Sequence, residues 1–205
     1  LSRLAYGATA VEREDLRLLG VEGWLEAQLK PDRIGDETVD AYLAGLVTLG
    51  MSASALLSHD KPAQIAQELQ AAAFYRLVYS RRRVLETLVE FWSDHFSIDL
   101  REKFARAFKT VDDREVIRPF ALASFRQLLA ASAHSPAMLS YLDNDANSKR
   151  KPNENYAREI MELHSLGAAV NGYPYTEQDV KEVARCFTGW TYQLREANGK
   201  PAGSV

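Results

Sequence analysis

Two side chains in the stretch 153–166, Glu159 and His164, could carry chemistry if they face the interior. A helix over 153–166, turning about 100° per residue, puts Tyr156, Ile160, Leu163 and Leu166 on one arc. Glu159 falls inside that arc and His164 at its other edge. A carboxylate among apolar neighbours must find a partner or lose its charge. Glu159 is therefore the residue to single out, with Asn155 one turn below as its hydrogen-bond partner. Glu154, Arg158 and Glu162 lie toward the opposite side and pair at four-residue steps. One helix cannot close a metal site here. Glu159 and His164 are about 140° apart, whereas helical ligand pairs need three- or four-residue spacing. The outside ligand would be His95, on an apolar stripe upstream with Asp94 beside it. In that arrangement His95, Glu159 and His164 hold a divalent metal. Alternatively, Glu159 is a general base, His164 and His95 carry protons, and Arg158 clamps an anion. The competing structural reading is plain. A histidine on an apolar stripe is ordinarily a hydrogen-bonded core residue. A buried glutamate ordinarily pairs with an arginine, here one from 76–83 or 114–126.

The densest polar run, from Asp143 to Glu154, invites comparison with a calcium-binding loop. Asp143, Asp145 and Asn147 stand at its first, third and fifth positions and Glu154 at its twelfth. The fit then breaks. Ser148 stands where the sharp turn needs glycine, Lys149, Arg150 and Lys151 add positive charge, and Pro152 stiffens the second half. A solvated loop with an Asx turn and a helix cap is the better reading. Cys186 lies on or near the core side of its helix and reads as a buried, inert thiol. No glycine-flanked nucleophile elbow and no phosphate loop occurs. Arg81, Arg82 and Arg83 could contact phosphates, but at a helix start they read as a solvated face.

These side chains have to be positioned by helices. The chain has 205 residues, 46% of them hydrophobic, with eleven glycines and seven prolines, which excludes a disordered or collagen-like chain. A single cysteine excludes a multi-cysteine zinc or iron–sulfur site. A net charge of −3 argues against a general nucleic-acid binder, which carries a basic excess. No run of 18 apolar residues is present to span a membrane as a helix. The first residue is Leu1 and no charged-then-apolar leader follows, so any export signal would precede it.

Three- and four-residue apolar spacing dominates, and strand alternation never persists. Thr9 with Glu12 is a capping box opening a helix through Leu19. Val21–Leu29 is a second helix with Trp24, Leu25 and Leu29 on one face. Asp36 caps a third, and Pro62 opens a long fourth. Val84 to Phe96 is apolar over a wide arc and reads as central. Asp112 and Asp113 start a helix reaching Leu122, kinked at Pro119, and a further helical stretch spans Ser124 to Ala133. Ser135-Pro136 opens another helix, and Thr176 to Phe187 is the last. Gly167 and Gly189 suit helix ends. The predicted fold is all-α: a multi-helix orthogonal bundle forming one domain over 1–195, with a polar loop or flexible tail over 196–205.

Several runs carry a resemblance. Asn153-Glu154-Asn155-Tyr156-Ala157-Arg158-Glu159-Ile160-Met161-Glu162-Leu163-His164-Ser165-Leu166-Gly167 is the longest. With it go Phe91-Trp92-Ser93-Asp94-His95-Phe96, Ser135 to Asn144, Tyr175 to Val180, and Phe187-Thr188-Gly189-Trp190. Together they resemble a bacterial domain-of-unknown-function family, the one numbered 1800. Tyr173-Pro174-Tyr175 departs from its usual glycine-tyrosine-threonine. The resemblance implies an exported protein, of which this chain would be the N-terminal part. It also implies a neighbour related to the phosphatase–sulfatase superfamily as a partner. It brings no established activity. If a downstream half follows, some apolar faces here should be left open. Two functional readings result. The favoured one is a binding or assembly module, braced by polar residues around Asp143, Asn144, Asn155 and Glu159. The other is a metal-assisted hydrolase or acid–base enzyme using Glu159 with His95 and His164.

Overall fold

Thr9 and Glu12 do form a capping box: the Thr9 backbone N–H and hydroxyl donate to the Glu12 carboxylate at 2.7 and 2.8 Å, and the Glu12 N–H returns to the Thr9 hydroxyl. In the computed structural model, which describes residues 4–102, 104–170 and 174–193, this box opens α1 (Ala10–Gln28). The two helices expected here are one element bent at Gly20, whose φ of 69° is a left-handed conformation that glycine adopts without steric penalty. Trp24 and Gln28 turn inward, while Leu29 is exposed.

The next elements are α2 (Glu37–Leu43), α3 (Ala53–Leu57) and α4 (Pro62–Tyr79). Pro62 occupies the first turn, where its missing N–H costs nothing. Asp36 stands at the cap position of α2 but does not cap it. Its buried carboxylate reaches instead across 44 residues to the Ser80 hydroxyl and to the Arg81 N–H at 3.0 Å.

α5 (Arg83–His95) follows at once, and Arg83 is no solvated charge. It is buried, pairs with Glu12, and donates to the Leu77 and Val78 carbonyls at 3.0 and 3.1 Å, tying α1 to the end of α4.

Residues 105–120 correct the expected helix start at Asp112. α6 (Ala105–Asp112) runs without interruption into a wider turn over Asp113–Ile117 and then α7 (Arg118–Phe120). The Arg118 N–H bonds five residues back, to the Asp113 carbonyl. This wider turn sits just ahead of Pro119, whose ring would clash with a regular α-helical carbonyl. Both aspartates consequently face inward. Asp112 accepts from Lys109 Nζ at 2.9 Å and from the Ser135 hydroxyl at 2.7 Å. Asp113 accepts from Arg118 at 3.1 Å, and Arg118 also grips the buried Glu86 at 2.7 Å.

α8 (Phe125–His134) opens on a second capping box, Ser124 with Gln127. α9 (Pro136–Tyr141), α10 (Glu154–Glu162) and α11 (Glu177–Cys186) complete the chain. The main core joins Phe96, Phe108, Ile117, Leu128, Met138 and Tyr156, so α5, α6, α8, α9 and α10 share one interior. α10 packs on α11 through Ala157, Met161, Val180 and Ala184. The predicted all-α fold is the observed one. Among the described residues there is no strand; Ser148 and Lys151 form an isolated antiparallel bridge. No described helix is long and apolar enough to cross a membrane. The tail predicted over 196–205 lies outside the described residues.

Candidate functional site

The loop 143–153 fixes where α10 begins, and it does so with amides. Asn144, fully buried, donates its Nδ2 to the Phe187 and Trp190 carbonyls at 3.3 and 2.9 Å. Asn147, 4% exposed, donates to Asn144 Oδ1 and to the Ala184 carbonyl, and its Oδ1 accepts from the Asn153 N–H at 2.9 Å. Asn153 caps α10 and donates to the Asp143 carbonyl. Of the calcium-like pattern of Asp143, Asp145, Asn147 and Glu154, only Asn147 and the Asp143 carbonyl enter this clasp. Asp143 adopts a left-handed turn, Asp145 accepts from the Tyr192 hydroxyl, and Glu154 faces Arg158 at 3.6 Å. Asn155 donates to the Leu142 carbonyl, not to Glu159.

The far end of α10 differs from a regular helix over 153–166. The helix stops at Glu162. The His164 N–H bonds five residues back to the Glu159 carbonyl at 3.0 Å, and the Leu166 N–H to the Met161 carbonyl at 2.7 Å. Gly167, at φ 85°, ends the turn. The wider turn swings His164 into the interior and leaves Leu163 and Leu166 exposed at 60% and 54%. The inward face of α10 is therefore Tyr156, Ala157 and Met161.

His164 lies against Phe96, with ring centroids 5.2 Å apart, and 6.1 Å from the ring of His95. His95 Nε2 is 3.0 Å from the His164 backbone carbonyl, which can only accept, so that nitrogen carries the proton and donates. Phe91, Trp92, Phe96 and Phe125 surround the His95 ring at 4.7–6.4 Å. Burial, and then the neighbouring His95, push the His164 imidazole down to about 4. It is thus neutral at pH 7. The depressed value sets a pH dependence. Between about 6.5 and 4 the unfolded chain binds the proton that the folded chain refuses, so stability is complete above that window and falls as pH drops through it. Denaturant titrations at pH 7 and pH 4 should show the wild type losing about 2–3 kcal/mol more than His164→Gln. Equal losses would place His164 in water.

Glu159, the residue singled out, is half-buried, and among the described residues its carboxylate has no ion pair or hydrogen bond. Of the arginines expected to meet it, Arg76 pairs with Asp113, Arg118 with Asp113 and Glu86, and Arg83 with Glu12, while Arg114 donates to the Leu49 and Met51 carbonyls. Arg158 forms a two-pronged pair with Glu177 at 2.7 and 2.8 Å, which holds its charge firmly. The fold brings His95 and His164 together. Among the described residues no three of His, Cys, Asp and Glu are gathered as metal ligands would be. Cys186, expected on the core side, is exposed at the end of α11, because Val180 and Ala184 take the inward positions. The buried amides Asn144 and Asn147 were not singled out as a pair. Their signal was an amide where a carboxylate could not donate.

A family model described as "Protein of unknown function (DUF1800)" matches residues 1–203. Comparisons with curated proteins and with solved structures find no match.

Proposed function

The chain belongs to the DUF1800 family, and from that membership we propose that it is an exported binding or assembly module whose contact face surrounds His95 and His164. The observation that carries this reading is how the polar groups there are used. His95 spends its Nε2 proton on a backbone carbonyl, and His164 is packed among rings. Such imidazoles brace α10 against α5. Around them stand large apolar side chains in water: Phe91 at 56%, Phe125 at 41%, Leu163 and Leu166. Large apolar side chains left exposed around one pair of imidazoles suit an interaction site. The earlier resemblance supports export, and it supports a phosphatase–sulfatase-like protein as the partner.

Sedimentation velocity of the chain mixed with that protein from the same bacterium tests the reading. A complex is expected, and Phe91→Ser with Leu163→Ser should weaken it at least about tenfold while leaving the circular dichroism unchanged. Absence of any complex, or equal affinity of the double variant, would refute it.

A further inference from the structure

The bend of α1 encloses a second feature, remote from the histidines. A cavity of about 560 Å³ lies between the two arms of α1 and the α4–α5 junction. Trp24, Leu19, Ile34 and Tyr79 form apolar walls, and Asp15 and Arg81 line the same space. Its volume falls within the range of small-molecule sites.

The backbone at Arg81 is held with unusual investment. The buried Asp36 carboxylate accepts its N–H at 3.0 Å, and the buried Gln28 amide donates to its carbonyl at 3.1 Å. The same Gln28 accepts from the Val84 N–H, and Arg82 Nε donates to the Ile34 carbonyl. Four bonds therefore lock the junction. Yet among the described residues the Arg81 guanidinium has no acid partner, and the Asp15 carboxylate no base. The other charges on the wall, Glu12 and Arg83, neutralise each other. A cation on a fixed stretch of backbone and an uncommitted carboxylate, both on an aromatic-walled cavity, suit a ligand carrying both opposite charges.

We propose that the elbow of α1 binds a small zwitterion with an apolar side chain, of the amino-acid or short-peptide class. Its carboxylate meets Arg81, its ammonium meets Asp15, and its side chain lies against Trp24 and Tyr79. The bend at Gly20 lies between the two stretches of α1 that line the pocket.

Calorimetric titration of the full chain with L-phenylalanine and with alanyl-phenylalanine tests this. Saturable one-to-one binding of at least one probe is expected. Arg81→Gln and Asp15→Asn should each weaken it about tenfold or more, as should replacing phenylalanine by 3-phenylpropionate or phenethylamine. Amide shift mapping on the wild type should confine the changes to residues lining the elbow. No saturable binding of either probe, equal binding of the singly charged analogues, indifference to both substitutions, or shifts elsewhere would each overturn the assignment.

Discussion

Arg118→Ala is expected to lower stability by about 3–5 kcal/mol, the cost of leaving a buried charge without its partner. Arg118 holds Glu86 with two nitrogens at 3.1 and 2.7 Å and Asp113 with a third at 3.1 Å. Glu86 is only 5% exposed, and no other ion pair to it is formed among the described residues. Asp113 keeps a second contact, with Arg76 at 3.7 Å. Burial works against the charge of Arg118, but Asp113 and Glu86 outweigh it and hold the guanidinium above its ordinary range. Replacing both partners, Glu86→Leu with Arg118→Met, should recover most of the loss, because no charge is then stranded. Urea unfolding of the three proteins measures this. A loss under about 1 kcal/mol for the single variant would mean that water reaches Glu86.

The second large effect concerns the amide clasp. Asn147→Ala removes two donated bonds and one accepted bond, and strands the Ala184 carbonyl and the Asn153 N–H. A loss of about 2–4 kcal/mol follows. Asn147→Asp should do no better, since a carboxylate cannot donate to either oxygen that Asn147 now serves. Hydrogen exchange should then quicken at Asn153 and at the last turn of α11. Unchanged protection there would separate the loop from α11 and remove the basis for its role.

Local signals in the sequence were sufficient for the helices. Thr9 with Glu12, Ser135 with Pro136, Thr176, Pro62 and Gly189 all act within four residues of where they stand, and each sits at a helix end as read, whereas Gly167 closes a turn five residues beyond the end of α10. What was not legible acts over distance. Glu86 meets Arg118 across 32 residues and Asp36 meets Ser80 across 44, and no spacing rule reaches that far. Asp112 and Asp113 look like a helix start because acidic residues favour first turns. The wider turn ahead of Pro119 instead keeps them inside a continuous helix.

The site was half legible for a related reason. A regular wheel groups Glu159 with Leu163 and Leu166, and none of the three is buried. The wheel cannot foresee the two bonds to residues five back that leave Leu163 and Leu166 exposed and carry His164 inward. His95 could be named as its companion because it lies on the apolar stripe of α5. That its proton is spent on a main-chain carbonyl is a property of the folded chain alone.

The most direct test is a long-range nitrogen–proton NMR titration of the histidine rings. With His95 serving as a brace, its proton should stay on Nε2, and the His164 ring should remain unprotonated from pH 7 down to about 4. Neither ring should shift when one equivalent of zinc is added. A His164 ring that titrates at the ordinary value of about 6.5, or joint displacement of both rings by stoichiometric zinc, would contradict the brace and return the pair to metal or proton chemistry.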